Sequence, residues 1–140
     1  MNEAPSPPFR LQRIDHVVLV VDGMERALRW YGDVLGAGSE GDLMQFGMMQ
    51  LRVGASMIDL VDVGLAEGAW ARPEVRGGRN MDHLCVDVGP VEDAAMRAHL
   101  AKHDVAIIEE GIRSGAKGDD YSWYIRDPWQ NVIELKRSGG

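Results

Sequence analysis

A single cysteine, Cys85, leaves no partner for an internal disulfide, which excludes a cystine-stapled fold and points to a reducing, cytoplasmic setting. Long apolar runs are also missing. No stretch approaches the roughly 20 residues of a membrane span, so no membrane association is expected. Basic charge is in the minority, with 15 Lys and Arg against 22 Asp and Glu and a formal net charge of -7. That balance opposes phosphate backbones and argues against nucleic acid as a partner. Aromatic residues are only 6% of the chain while hydrophobic residues are 45%, so the core must be mostly aliphatic. At 140 residues it is one domain's worth of polypeptide. Three of the six prolines fall in residues 1–8, where no basic-then-apolar order follows. Residues 1–11 therefore read as a flexible arm, not a signal peptide.

What is present is a repeat. Ile14-Asp15-His16-Val17-Val18-Leu19-Val20-Val21 is matched by Met81-Asp82-His83-Leu84-Cys85-Val86-Asp87-Val88, with the Asp-His pair at the same place. Each run is short, apolar and rich in β-branched residues, as a buried strand requires, and a helix-like segment follows each. Strand parity puts Val17, Leu19 and Val21 on one face and His16 on the other; Leu84, Val86 and Val88 oppose His83 in the same way. Both histidines then turn away from the face that packs on the helix. Cys85 shares the His83 face, where a thiol reads as a buried, inert group.

In the first half, Asp22 is a candidate N-cap with Glu25 three residues on; Met24, Ala27, Leu28, Tyr31, Val34 and Leu35 recur at helical spacing, and Gly36 ends the helix. Residues 36–41 read as a turn region, and 43–46, 48–53 and 56–63 as three strands. The second half repeats the order. Pro90 suits the first turn of a helix with Val91, Ala94, Ala95, Ala98 and Ala101 on one side, followed by strands over 105–109, 121–125 and 132–136 and a glycine-rich basic loop before the second of these. The fold class is thus α+β, built from two β-α-β-β-β modules over 12–63 and 81–137 joined by a glycine- and arginine-rich linker over 64–80. Modules of this size bury too little surface alone, so two of them, or two chains, should share a sheet and a cavity, with equivalent positions related by a pseudo-twofold axis.

His16 and His83 are equivalent in this repeat, and so are Asp59 and Glu134, each set between apolar residues of a last strand. A carboxylate buried there without a partner would cost several kcal/mol, which a metal ion or an arginine must offset. Two imidazoles and one or two carboxylates suit a divalent transition metal, so His16, Asp59, His83 and Glu134 are the candidate ligands, and Glu134 and Asp59 the candidate catalytic bases. His99 and His103 lie four apart on a helix, a spacing that fits a metal, but with no organised carboxylate beside them they read as an exposed polar face near a helix end. Trp70, Trp123 and Trp129 could line a pocket or pack as core and rim. Arg76, Arg79, Arg113 and Lys117 sit in the two loop regions, able to hold an anionic substrate or simply solvated.

These residues, together with the helix ending Trp30-Tyr31-Gly32-Asp33-Val34-Leu35-Gly36 and the segment Asp127-Pro128-Trp129-Gln130-Asn131-Val132-Ile133-Glu134-Leu135, resemble the vicinal oxygen chelate superfamily over about residues 12 to 137. That group includes glyoxalase I, methylmalonyl-CoA epimerase, fosfomycin resistance proteins and extradiol dioxygenases. The resemblance implies paired modules whose sheets curl into a cup holding a divalent ion (nickel, zinc, cobalt, manganese or iron), commonly in a homodimer. By position the ligands would be His16, His83 and Glu134, with Asp59 where glyoxalase I has glutamate. It implies a lyase or isomerase acting on a small carbonyl compound through its enolate; an epimerase, an extradiol dioxygenase and a bleomycin-resistance-like binding module are the alternatives. Glyoxalase I has an arginine shortly after its first histidine to hold glutathione, where this chain has Leu19, Val20 and Val21.

Overall fold

The computed structural model describes residues 10, 12–72 and 81–139. The first module runs β1 (His16–Val21), α1 (Met24–Leu35), β2 (Ser39–Leu43), β3 (Met48–Val53) and β4 (Ser56–Asp62). The second runs β5 (Leu84–Gly89), α2 (Asp93–Lys102), β6 (Glu109–Arg113), β7 (Asp120–Arg126) and β8 (Val132–Arg137). Each module forms a four-stranded sheet, ordered β1-β4-β3-β2 and β5-β8-β7-β6. The first strand lies parallel to the last and the other pairs are antiparallel. This is the expected α+β fold of two β-α-β-β-β units.

Several expected boundaries shift. Helix α1 is capped by Gly23, not Asp22, and its first backbone N–H groups are met from another element: Asp62, at the end of β4, accepts from Gly23 at 3.1 Å and Met24 at 2.8 Å. An anionic side chain at a helix N-terminus satisfies orphan donors and opposes the helix dipole. Gly36 does end the helix, in the left-handed conformation at φ 69°. Residues 44–46, expected to be strand, form a 3₁₀ turn, and β2 lies earlier, on the polar segment read as a turn region. An edge strand needs only backbone pairing, here with β3 and reinforced by the Arg52–Glu40 ion pair, so it carries no apolar alternation. The same happens in the second module, where β6 begins at Glu109 and the apolar Val105 and Ile107 pack on the core as a connection. Helix α2 starts at Asp93, after a Glu92 cap, and buries Met96 and Leu100 while its alanines face solvent. The linker holds a 3₁₀ turn over Ala66–Ala71; its remainder from residue 73 on, with Arg76 and Arg79, lies outside the described residues, as does most of the 1–11 arm.

One core serves both modules. Leu19, Val21, Ile58 and Leu60 from the first sheet and Trp123, Ile125, Ile133 and Leu135 from the second pack with Ala27, Tyr31 and Val34 of α1 and Met96 and Leu100 of α2. Polar ties cross the same boundary. The fully buried Tyr31 hydroxyl donates to Asp127 at 2.7 Å, and Asp127 also accepts from the Trp129 and Asn131 backbone and the Asn131 amide. Burial beside this carboxylate pushes the Tyr31 phenol far above its ordinary range. His99, on α2, bonds the Val34 carbonyl at 2.7 Å, which makes it an interface residue between the helices.

Two measurements test these ties. Tyr31→Phe should cost about 1–3 kcal/mol in urea unfolding, because a buried carboxylate loses one donor that water cannot replace; an unchanged midpoint would remove the clamp. The second concerns Asp87, whose carboxyl is held at about 2 by the Ser138 hydroxyl, the Gly89 N–H and Lys117. A depressed acid stabilises the fold above its ordinary 3.8 and loses that contribution as pH falls toward 2. The stability gap between wild type and Asp87→Asn should therefore be open at pH 6 and close on acidification through that window; a gap independent of pH would contradict it.

Candidate metal centre

Because the helix-packing faces of both sheets meet in one core, the opposite faces turn outward, and the four candidate residues lie on those. In the first module His16 begins the edge strand β1, and Asp59 stands in mid-strand on β4, next to it in the sheet. His16 Nε2 is 3.9 Å from Asp59 Oδ2. In the second module His83 immediately precedes β5 and Glu134 occupies the corresponding place on β8, with Nε2 3.0 Å from Oε1. The imidazoles are part-exposed, whereas Asp59 and Glu134 are buried to 3% and 4% exposure.

The preceding aspartate anchors each histidine. His16 Nδ1 is 2.7 Å from Asp15, and His83 Nδ1 is 2.7 Å from Asp82. A proton held on Nδ1 toward a carboxylate leaves the Nε2 lone pair facing the site, the arrangement that orients metal-binding imidazoles. The repeated Asp-His pair thus has a physical role in both copies. The Asp15 hydrogen bond and the Asp59 charge raise the His16 pKa above its ordinary 6.5.

The carboxylates differ in their support. Glu134 accepts from the Ser122 hydroxyl at 2.6 Å, and the Tyr124 hydroxyl is near enough to favour its charged form. Burial raises its pKa, but these hydroxyls and the His83 charge outweigh burial and hold the carboxyl below the usual range. Among the described residues Asp59 accepts a single hydrogen bond, from Gln50 at 3.4 Å to Oδ2, and its buried Oδ1 has no hydrogen-bond partner. An oxygen buried and unsatisfied in this way is a place for a cation. Gln50 and Tyr124 are register partners of Asp59 and Glu134 across the sheets. Gln50 escaped the sequence reading because strand register, which sets cross-strand neighbours, leaves no local mark. Cys85, expected to be buried, is exposed; it is also a register partner of Glu134, and desolvation by its neighbours and that carboxylate push its thiol up to about 11.

The two pairs do not converge within the chain. Among the described residues, no group of three His, Cys, Asp or Glu side chains is close enough to hold an ion. The tryptophans lie elsewhere: Trp123 is fully buried in the core, Trp129 bonds the Asp22 carbonyl and stacks under Arg26, and Trp70 is exposed. Arg113 lies over the Tyr124 ring, and Lys117 pairs with Asp87 at 3.1 Å.

Comparison with known proteins agrees with this architecture. The chain is 30% identical to virulence protein STM3117 of Salmonella typhimurium over 129 residues, 91% of this chain and 85% of that protein. It is 29% identical to the glyoxalase domain-containing protein RDO1 of Mycosarcoma maydis, covering 89% of this chain and 68% of the other. The crystal structure of STM3117 superposes with a TM-score of 0.74 at 27% identity, over 94% of this chain and all of that one. A lactoylglutathione lyase from Agrobacterium tumefaciens shares the fold at a TM-score of 0.62 and 22% identity, over 92% of this chain and 96% of that one. So does the fosfomycin resistance protein FosX of Listeria monocytogenes, determined with Mn(II) and sulfate, at 0.65 and 12%, over 93% of each chain. The family model of the Glyoxalase/Bleomycin resistance protein/Dioxygenase superfamily matches residues 13–135, and the chain belongs to that superfamily.

Proposed function

We propose that the protein is a metal-dependent lyase or isomerase of glyoxalase type, acting on a small carbonyl compound. In this reading each active site is assembled from the first module of one copy and the second module of another. The observation that carries it is the pair of outward-facing half-sites, each an imidazole anchored through Nδ1 beside a buried carboxylate, with Asp59 Oδ1 left without a hydrogen-bond partner among the described residues.

The residues fit a divalent ion. Two neutral imidazoles and two carboxylates are a borderline-soft, anionic donor set, and the aspartates behind the histidines supply the outer support such ligands need. His16, His83, Glu134 and Asp59 would hold it. When bound, the ion supplies Lewis acidity toward a substrate carbonyl, an effect worth several kcal/mol on the charge that develops as the neighbouring carbon loses a proton.

The chain's own groups divide the remaining work. Glu134, kept ionised near neutral pH, is the proton acceptor, and Ser122 fixes its orientation. Asp59 approaches from the opposite wall, where it is the second acid-base candidate. Buried apolar strands behind both carboxylates exclude water from the proton's path. Val18, in register with Asp59 and 42% exposed, gives the first module's wall an apolar surface for substrate or for the second copy.

Metal content measured on chains carrying complementary substitutions tests both halves of the reading. His16→Ala and His83→Ala, purified separately, should each keep the fold by circular dichroism and lose the ion. Unfolded and refolded together, they should regain about a quarter of the wild-type metal, because half of the dimers are mixed and one of their two sites has every ligand. No recovery on mixing would place each site within one chain. Wild-type protein that takes up no ion at all would overturn metal chemistry and favour a ligand-sequestering module.

A further inference from the structure

On their outer faces both modules pair a histidine with a buried carboxylate, and one row beyond the carboxylates their chemistry parts completely. In the first sheet that row is Val20, Val61 and Met48, paired across β1, β4 and β3. In the second it is Asp87, Lys136 and Ser122, paired across β5, β8 and β7. The fold therefore accepts a wholly apolar row at this place, and Lys136 stands where its counterpart Val61 is fully buried.

Lys136 is itself only 7% exposed. Its ammonium donates to the Gly118 carbonyl at 2.8 Å and has no carboxylate within ion-pair distance among the described residues. The neighbouring cations are already engaged, Lys117 with Asp87 at 3.1 Å and Arg137 with Asp120 at 2.9 Å. An ammonium has three donors, so among the described residues Lys136 is a buried charge with unused hydrogen-bonding capacity. It lines a cavity of about 380 Å³ whose wall also includes His83, Glu134, Asp87, Arg137 and the loop over residues 114–117. The loop is built to lie on it. A Cβ at Gly115 would come within 2.7 Å of the Lys136 stem, so an alanine there would require the end of the Lys136 side chain to shift.

We propose that this cavity is an anion subsite and that Lys136 binds an anionic oxygen group, a carboxylate or phosphonate, carried by the substrate. The inference rests on the proposed function in assigning the group to a substrate: Glu134 and Lys136, two residues apart on the same face of β8, would address the reacting carbon and the anionic end of one small molecule. The substrate class is then an anionic carbonyl compound, with the charge located by the second module alone. Lys117, 70% exposed on its side chain, can leave Asp87 and provide a second contact from the loop.

The test is a titration of the full chain, stripped of metal with chelator, using sodium acetate and, separately, methylphosphonate at constant ionic strength, read by the backbone amide NMR shifts of residues 114–118. Saturable shifts with Kd of about 1–10 mM are expected, the range open to ligands of four or five heavy atoms. The arm that saturates at lower concentration identifies the anion type. Lys136→Met, which keeps the stem and removes the charge, should weaken binding by about tenfold or more, and Lys136→Arg should retain it. Gly115→Ala, which crowds the stem, should also weaken it and serves if the methionine variant does not fold. Glu134→Ala should bind the anion at least as well as wild type, because it removes a facing negative charge while abolishing the metal site. Unsaturable shifts in wild type, or equal affinity in Lys136→Met, would overturn the subsite even if the protein loads metal. Saturable binding lost in Lys136→Met would uphold it even if no metal is ever taken up.

Discussion

The constraint on which the structure depends is that two sheets share a single helix-filled core. Each sheet has two faces, and side-chain alternation assigns every strand residue to one of them. Once Leu19, Val21, Ile58 and Leu60 are committed to the helices on one side of the molecule and Ile125, Ile133 and Leu135 on the other, the alternate residues must turn outward. His16, Asp59, His83 and Glu134 are those alternate residues. The half-sites, their separation within the chain and the reading of a site completed by a second copy all descend from this packing.

The modules are copies in geometry but not in chemistry. Both retain an aspartate that anchors a histidine and a buried carboxylate beside it. They differ in what supports the carboxylate: hydroxyls from Ser122 and Tyr124 stabilise Glu134 in its charged form, whereas among the described residues Asp59 has one long amide contact and an oxygen without a hydrogen-bond partner. They differ again one row further on, apolar in the first sheet and charged in the second. Duplication supplies a symmetric frame, and divergence gives its two walls different chemistry.

Much of the fold was legible because it rests on local signals. The repeat, the apolar strands β1, β3, β4, β5, β7 and β8 and the extent of α1 follow from periodicity and from Gly36. The edge strands β2 and β6 were misplaced because their pairing comes from a neighbouring backbone, with no apolar alternation in their own residues. The Asp22 cap failed for a related reason: Asp62, 38 residues from Met24, reached those N–H groups first. The alanines of α2 read as a buried side, but the larger Met96 and Leu100 occupy the core.

By itself the sequence determined the class of fold, the outward parity of the histidines and the four residues whose chemistry suits a metal, because alternation and residue type are local properties. Only the tertiary structure decided which of the four meet, what holds each of them, and that Lys136 is a buried charge with spare donors beside Glu134. Those depend on strand register and on how two sheets share one core, and contacts between residues distant in the chain leave no trace in local patterning.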